Sequence, residues 1–464
     1  MLSGHNQKSR ITLLALFLAL VAILAMSCRE CPTEPEKSHY IITLSVKETA
    51  PQYVRLYFSI SDSGSVRQFE LKQDSMVMIS RNLIGKDTVV TISHLKPSTE
   101  YRYQLLVLDN DEVVDSSLSV NVTTPEASGD DFTWDVQTLG DYGSYLRDVW
   151  IVDENNIWVV GALVIDDSTA LYSGQQNYNV AKWNGITWNY ELIGAPGITG
   201  EGIFYFSENN IWVVTGIIYH WNGNEWERYH LWNMGVLDDD DGEVTAIWAS
   251  SPSNIYFVGS NGSIVHFDGS MFSKMESGTE VDLTDIWGYV DDETGEEHIW
   301  AGGNIRYKSP SIVLYYHNGS WQKIYERYAD RSCNLLGDST LTPRCETVWT
   351  DPISEKIWIA GGEGLFTFDD IQSPTTYTEI KVWLATGYFA YPFKIRGNNP
   401  YDIFIAGESG SMFHYDGVKW KWYSELYNNN DRIYSLDITD SFICAVGYDY
   451  SSFQTKALII FGHR

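Results

Sequence analysis

Three arginines stand near the starts of three separate apolar strands in the sequence. They are Arg147, Arg344 and Arg432. A guanidinium holds a carboxylate through two parallel hydrogen bonds, so arginines that converge on one site could anchor an anionic ligand. Glu201, Glu243 and Glu346 occupy comparable positions and would place negative charge beside them. The arginines are therefore candidates for ligand binding rather than a recognised catalytic set.

Four consecutive aspartates form the strongest metal-binding pattern in the chain. They are Asp238, Asp239, Asp240 and Asp241, followed by Gly242. The run fails the calcium-loop template of the EF-hand, because counting back from Gly242 puts Leu237 at the first ligand position and Trp248 where the final glutamate belongs. Irregular calcium coordination is one interpretation, and a solvated acidic loop is the preferred one.

No catalytic motif is recognisable. The sequence has no G-x-S-x-G elbow, no H-E-x-x-H pair and no phosphate-binding loop. A glycosidase or lyase needs paired carboxylates, and acids are too abundant here to nominate a pair. We expect a protein that is not an enzyme and needs no cofactor.

The charge balance excludes one class of partner. The chain carries 61 acidic and 31 basic side chains, a formal net charge of −30. Nucleic-acid binding requires a basic face that releases counterions, so no nucleic-acid partner is expected. The same acidity argues against docking on an anionic membrane surface.

Residues 1–27 have the features of an export signal. Lys8 and Arg10 precede an apolar run that is too short to span a membrane, and Ala25-Met26-Ser27-Cys28 resembles a bacterial lipobox. This resemblance implies that Cys28 is lipidated, that 28–37 is a tether, and that the anchor lies in the outer membrane. Which side of that membrane the protein occupies stays open, and cleavage by an ordinary signal peptidase is the alternative.

Two cysteines flank a long polar segment. Because export leads to an oxidising compartment, Cys333 and Cys345 are a candidate disulfide that would staple this loop. The alternative is a pair of free thiols. Cys444 lies within an apolar strand and is expected to be a buried small hydrophobe.

Residues 38–125 have strictly alternating strands and no tryptophan. The segment Leu95-Lys96-Pro97-Ser98-Thr99-Glu100-Tyr101 resembles the L-x-P-x-T-x-Y segment of fibronectin type III domains, and Phe58 stands where that family has a core tryptophan. The resemblance implies a β-sandwich whose Tyr101 forms a tyrosine corner. We expect a spacer domain here, followed by a linker at 126–131.

From residue 132 onward a short apolar strand that usually ends in glycine recurs seven times. Its copies begin at Ile157, Ile211, Ile255, Ile299, Ile357, Ile403 and Ile443. Most copies follow another strand and precede an Asn-Gly or Asp-Gly hairpin, which predicts a type I′ turn and four strands per unit. A period of about 40–58 residues built from short strands is typical of propeller blades.

The ends of this region predict how the ring closes. The seventh unit stops without a fourth strand, whereas an unpaired strand, 132–139, precedes the first unit. The fold class is therefore all-β: a fibronectin-like sandwich and a seven-bladed propeller (132–464) closed by its N-terminal strand in a 3+1 blade. The repeats resemble propeller repeats in the sensor regions of two-component regulators, which implies a fold and no activity.

The connections from strand d to a and from b to c should share one face and carry the long insertions, at 161–179, 229–243, 304–312, 324–345, 369–391 and 447–456. Aromatic residues are frequent there, and the candidate ligand contacts are Tyr172, Tyr178, Trp232, Trp383 and Tyr448. The alternative is that these rings pack their own loops.

We therefore expect a lipid-anchored surface protein that binds a protein or glycan on this face. The competing class is a propeller-type carbohydrate-active enzyme. Two carboxylates ~5–10 Å apart at the channel mouth would favour the enzyme, and a mouth lined by mixed ion pairs would argue against it.

Overall fold

A computed structural model of the chain describes residues 41–61, 68–82, 87–109, 111–166, 174–291, 294–304, 311–327, 345–352, 356–362, 364–368, 377–450 and 454–464. The predicted signal, Cys28, the tether, Tyr172, Cys333 and Arg344 lie outside these residues. Most of the described chain is strand, and very little of it is helix. Within it, no helix is long and apolar enough to cross a membrane.

Residues 41–123 form two sheets. Their strands are β1 (Ile41–Ala50), β2 (Tyr53–Ser61), β3 (Gln68–Gln73), β4 (Met76–Asn82), β5 (Asp87–Ser93), β6 (Glu100–Asp109), β7 (Glu112–Ser116) and β8 (Val120–Thr123). One sheet has the order β1-β2-β5, and the other has β4-β3-β6-β7 with β8 on β6. Period-two burial along β3 turns Phe69 inward, where its ring lies 4.8 Å from the buried Phe58.

The described residues from Thr133 onward form seven four-stranded antiparallel sheets. Six of them follow chain order. The first contains β10 (Tyr145–Asp153), β11 (Asn156–Asp166), β12 (Gln175–Trp183) and β13 (Trp188–Glu191). The second contains β14 (Gly202–Ser207), β15 (Asn210–Val214), β16 (Ile218–Trp221) and β17 (Trp226–Tyr229). The third contains β18 (Val244–Ser251), β19 (Asn254–Gly259), β20 (Ile264–Phe267) and β21 (Phe272–Met275).

The fourth sheet contains β22 (Asp285–Val290), β23 (Glu297–Asn304), β24 (Ser311–His317) and β25 (Ser320–Arg327). The fifth contains β26 (Thr347–Thr350), β27 (Ile357–Gly361), β28 (Gly364–Phe368) and β29 (Tyr377–Ile380). The sixth contains β30 (Pro392–Asn399), β31 (Asp402–Gly407), β32 (Met412–Tyr415) and β33 (Trp420–Trp422), and a short helix α1 (Val382–Thr386) precedes it.

The seventh sheet combines the two ends of this region. Its strands are β34 (Arg432–Ile438), β35 (Phe442–Asp449), β36 (Lys456–His463) and β9 (Thr133–Leu139), in that order. β9 pairs with β36 antiparallel, with Val136 opposite Ile460. The unpaired strand predicted near residue 132 is thus the fourth strand of the last sheet.

The core of this region lies between neighbouring sheets. The repeated apolar strand falls on the second strand of each sheet, and Ile157, Ile211, Ile255 and their counterparts are fully buried. Separate apolar clusters join each sheet to the next, and one joins the seventh sheet to the first. The first strands of successive sheets are adjacent, and β34 is also adjacent to β10. This architecture is a β-propeller.

The structure contains two compact units. One comprises the described residues up to Ser45 together with Leu56–Val90 and Arg102–Asn121. The other comprises Val46–Arg55, Thr91–Tyr101 and Val122–Arg464.

The hairpin prediction is only partly right. Asn318 and Gly319 both have positive φ (51° and 77°) and form the expected two-residue turn. At Asn184-Gly185 only the glycine has a positive φ. Trp183 pairs with Trp188, so the loop between these strands has four residues instead of two. There the Asn184 side-chain oxygen accepts hydrogen bonds from Ile186 N and Thr187 N, which a two-residue loop has no room for. Asn222, Asp268 and Asp416 repeat this arrangement.

The predicted linker 126–131 is held against the sixth sheet. Ser128 N donates to Asp416 O at 3.1 Å, and the Asp130 carboxylate pairs with Lys419 Nζ at 3.0 Å. Lys421 Nζ donates to Asp130 O at 2.6 Å. These contacts guide the chain into β9.

A central cavity as the candidate functional site

The first strands of six sheets line a cavity of about 530 Å³, and Glu346, just before the first strand of the fifth sheet, completes its lining. Pockets of this size hold small molecules or side chains of a partner. Many of its lining residues lie at or just before the starts of these strands, such as Glu201, Thr284 and Glu346. The cavity therefore lies toward the face formed by the d–a and b–c connections, because strand a follows a d–a connection, and this end of the cavity is called its mouth.

β-Bulges shape the mouth. In four sheets the pairing of the first two strands skips one residue close to the start. These residues are Arg147, Thr245, Phe393 and Tyr434. A bulged residue is freed from the ladder and can be re-aimed, and all four line the cavity.

A deeper layer is mainly aromatic. At one equivalent position of the first strand, five sheets carry an aromatic residue, namely Trp150, Phe204, Trp248, Trp287 and Trp349. The sixth and seventh sheets carry Arg396 and Asp437 instead. All of these except Trp349 line the cavity. Its wall is thus a ring of indole and phenyl groups interrupted by one cation and one acid.

Arg147 is the one predicted arginine that reaches the cavity among the described residues. Its Nε lies 3.5 Å from the Glu201 carboxylate, and its guanidinium lies 4.6 Å from the centre of the Tyr434 ring. Burial raises the pKa of Glu201, and Arg147 opposes that shift. The arginine and the glutamate that the sequence places at comparable positions thus form a direct ion pair.

Asp285 is the most strongly paired acid of the cavity. It lies 3.0 Å from Lys394 Nζ and accepts two hydrogen bonds from Arg396, at 2.8 and 3.0 Å. Burial alone would raise the pKa of Asp285, but Arg396 and Lys394 outweigh burial and hold it well below its usual range. Thr347 Oγ1 also donates to it at 2.6 Å.

Two further acids, both partly buried, join neighbouring sheets. Asp148 accepts from Ile203 N (3.0 Å) and Ser435 Oγ (2.7 Å), so it links the first sheet to the second and the seventh. Asp437 accepts from Ile151 N at 2.7 Å and from Ile438 N at 2.9 Å. Burial raises the pKa of Asp437 to about 6; its backbone hydrogen bonds oppose the shift and repulsion from Asp148 adds to it.

The other predicted ligand contacts are dispersed. Arg432 pairs with Glu408 at 3.5 Å and is not part of the cavity wall. Tyr448 packs beside Tyr434, with ring centres 5.6 Å apart and the rings tilted by 54°, and so supports a residue of the cavity wall.

Two of the predicted loop aromatics are packed rather than displayed. Tyr178 lies within β12, paired with Leu163, and its ring is 5.6 Å from that of Tyr190. Trp232 packs its own loop and donates from Nε1 to Asp238 O at 3.0 Å.

Trp383 is different. It lies on α1 with 54% of its surface exposed, next to Leu384 with 62% exposed. The predicted loop 369–391 is interrupted by β29, so only its second part, which contains α1, is a d–a connection.

The acidic run does not form a calcium cage. The Asp241 carboxylate accepts from Asp238 N at 2.7 Å and pairs with Lys274 Nζ at 2.7 Å. Among the described residues, no three acidic, histidine or cysteine side chains are grouped so that they could hold a metal ion. The structure gives the calcium interpretation no support.

The disulfide prediction also finds no support. Cys345 is a free thiol, fully buried in the apolar cluster between the fourth and fifth sheets. Burial raises the pKa of this thiol, and of the buried Cys444, well above the usual range. The polar segment before Cys345 suggested a loop, but this residue lies two positions before a buried strand, β26.

Ser128, His414 and Asp402 lie together but do not form a catalytic triad. Ser128 Oγ lies 3.3 Å from Nε2 of His414, and Asp402 Oδ1 lies 2.8 Å from the same nitrogen. A catalytic triad needs the serine and the carboxylate on opposite ring nitrogens. Arg464 also binds Asp402, at 2.6 Å, so this group fastens the linker and the C-terminus to the sixth sheet.

Sequence reasoning missed Asp148, Asp285, Lys394, Arg396 and Asp437. A signal was present: Arg396 and Asp437 replace the aromatic residue of the other units, and charges next to apolar residues in a first strand are unusual. The pairing of these charges spans several sheets, and repeat alignment does not reveal it.

Comparison with solved structures shows a likeness of fold. A solved structure described as YCF48 bound to D1 peptide aligns with a TM-score of 0.51 and 13% identity, covering 73% of this chain and 100% of that chain. The C-terminal WD40 domain of Sif2 aligns with a TM-score of 0.40 at 12% identity (70% and 97% covered). The rhamnogalacturonan lyase PL11 of Bacillus licheniformis aligns with a TM-score of 0.28 at 10% identity (89% and 88% covered). The last two scores support no inference, and the first shows a likeness of fold alone.

No protein-family model and no curated protein matches the sequence.

Proposed function

We propose that this chain is a non-enzymatic binding protein of the cell envelope, which holds a protein or glycan partner on the face formed by the d–a and b–c connections. The carrying observation is the cavity that opens on this face, with Arg147, Phe393 and Tyr434 aimed into its mouth. A rigid scaffold with a shaped, partly aromatic opening is a common form of recognition site.

The propeller in this proposal has seven blades and is closed by β9. Support comes from the seven four-stranded sheets, from the adjacency of β10 and β34, and from the apolar cluster that joins the seventh sheet to the first. The 3+1 blade leaves no open edge, so the ring can hold its mouth rigidly.

The two N-terminal sheets act as a fibronectin type III-like spacer in this proposal. Tyr101 Oη accepts a hydrogen bond from Lys96 N at 2.9 Å, a contact of the kind expected for a tyrosine corner. Together with the predicted lipidation of Cys28, the spacer would hold the propeller away from the outer membrane.

The carbohydrate-active enzyme is the weaker alternative. Asp148 and Asp437 both line the cavity, and the raised pKa of Asp437 would suit a general acid. Both oxygens of each carboxylate, however, accept hydrogen bonds that join or brace the first strands. Arg147–Glu201 and Arg396–Asp285 are mixed ion pairs in the same cavity, which is the arrangement expected of a binding site rather than a glycosidase.

A precedent for peptide binding exists within the fold, since the YCF48 structure is described as bound to a D1 peptide. That precedent concerns the fold and not the residues of this chain.

Site-specific crosslinking tests the proposal. A photoreactive phenylalanine derivative replaces Trp383 on the proposed face of the full-length chain, and in a matched control it replaces Ile186, which is 87% exposed on a c–d hairpin at the opposite face. We expect a discrete crosslinked partner from position 383 and none from 186. Equal crosslinking from both positions, or no crosslink from 383 together with no ligand on a glycan array, would reject the proposal.

A further inference from the structure

One wall of the cavity is aromatic and carries few resident cations. Trp150, Phe204 and Trp248 come from the first three sheets at the same depth, and the rings of Trp150 and Phe204 lie 4.5 Å apart. Of the residues that these three sheets contribute to the described cavity, only Arg147 is basic. Faces of indole and phenyl rings attract organic cations.

The cavity already uses this interaction elsewhere. The Arg396 guanidinium lies 4.5 Å from the centre of the Trp287 ring, and that of Arg147 lies 4.6 Å from Tyr434. Trp287 and Tyr434 thus each have a cation from the protein itself. Trp150 and Phe204 are partly exposed, and together with the edge of the wall at the buried Trp248 they form the part where a cation from a ligand would find the same kind of surface.

The charges in the cavity also favour a cationic ligand. Among the described residues, the cavity wall includes seven carboxylates and three basic side chains. Two of the three bases, Lys394 and Arg396, are both bound to Asp285. Asp148 and Asp437 accept hydrogen bonds from neutral donors, so these contacts leave their negative charge uncompensated. A cation that enters beside the aromatic wall would therefore gain favourable electrostatic energy.

We propose that the central cavity binds an organic cation, namely the ammonium or guanidinium group of a lysine or arginine side chain presented by a protein partner. This inference rests on the proposed function and specifies its partner as a protein with an exposed basic residue. It reverses the first interpretation of Arg147, since this arginine would repel the ligand rather than anchor it.

Binding of model peptides to the full-length chain tests the inference. The probes are three capped glycine-rich peptides that differ at one central residue: lysine, norleucine or glutamate. Binding is followed by tryptophan fluorescence at low ionic strength, because Trp150 and Trp248 line the cavity. We expect the lysine peptide to bind at least about tenfold more tightly than the norleucine peptide, and the glutamate peptide to bind least.

Two variants assign the effect to the cavity. Arg147→Gln should strengthen lysine-peptide binding by about three- to tenfold, because it removes a resident positive charge, and Phe204→Leu should weaken it by a similar factor. Lys182→Gln is the matched control: Lys182 also has a carboxylate at 3.5 Å and an aromatic ring at 4.9 Å, but it lies on β12 away from the cavity. It should leave binding unchanged, and thermal unfolding checks that each variant is folded.

Opposite results overturn the inference. Weaker lysine-peptide binding by folded Arg147→Gln, equal binding of lysine and norleucine peptides, or preference for glutamate would each exclude a cation site. If a partner crosslinks from position 383 but Arg147→Gln does not change its binding, the proposed function stands and this inference is rejected. A cation site with neither a crosslinked partner at position 383 nor a glycan ligand would do the reverse.

Discussion

Asp285 on β22 and Arg396 on β30 are 111 positions apart in the chain and are joined by two hydrogen bonds, of 2.8 and 3.0 Å. The pair connects the fourth sheet to the sixth. Arg396 also donates to Val348 O of the intervening fifth sheet, at 3.3 Å. Three sheets are therefore tied together at the wall of the cavity.

Asp285→Asn should destabilise the protein by about 3–5 kcal/mol, because it leaves Arg396 and Lys394 buried without their counter-charge. Urea unfolding at neutral pH measures this. Glu408→Gln is the control, since its pair with Arg432 is half-exposed and should contribute no more than about 1 kcal/mol. If both substitutions have equally small effects, the Asp285 cluster does not hold the sheets together.

The stability that two acids contribute, Asp431 and Asp437, should fall as pH rises from about 4 to about 7. Asp431 is buried, and burial followed by repulsion from Asp449 raises its pKa to about 7. A group with a raised pKa binds more protons in the folded than in the unfolded state, so its contribution is complete below pH 4 and is lost as pH passes the folded-state value. The carboxyl of Asp437, with its pKa of about 6, acts in the same direction.

Asp431→Asn should remove much of this decline. The variant should match the native chain near pH 4 and exceed its unfolding free energy at pH 8 by about 2–4 kcal/mol. Urea unfolding across that pH range gives the comparison, and Asp440→Asn on an exposed connection controls for the loss of one carboxylate. Parallel pH profiles for the native chain and Asp431→Asn would contradict the assignment.

Two asparagines in similar sequence contexts should respond oppositely to glycine. Asn184→Gly removes two hydrogen bonds to Ile186 N and Thr187 N and should cost about 1 kcal/mol. Asn318→Gly should be neutral or slightly stabilising, because φ is 51° there and glycine adopts that conformation without strain. Urea unfolding of the two variants decides this, and an equal loss in both would mean that the two turns are alike.

Cys345 and Cys444 should be labelled by a thiol reagent only after unfolding. Both are buried free thiols, and burial raises the pKa of each, so little reactive thiolate is present in the native state. Mass spectrometry after alkylation in denaturant without reductant should find both modified. Modification of Cys345 only after reduction would restore the disulfide with Cys333 that the sequence suggested.

Several features of the site were accessible to sequence reasoning. The repeat identified the first strands, and thus the place of Arg147 and Glu201 near the ring axis. The bulges at Arg147, Thr245, Phe393 and Tyr434 have no local signature, because a bulge is defined by the register between two strands. The four-residue hairpins were missed since Asn-Gly is compatible with several loop lengths.

The sequence by itself determined the all-β class, the recurring strands and the strand that completes the last sheet. These follow from local alternation, turn residues and a repeat length that are legible along the chain. Only the tertiary structure decided which charges meet. Asp285 with Arg396, Asp148 with Ser435 and Asp437 with Ile151 each join residues from different sheets. Packing of neighbouring sheets brings such distant residues together, and burial then gives their charges an energy that no local pattern encodes.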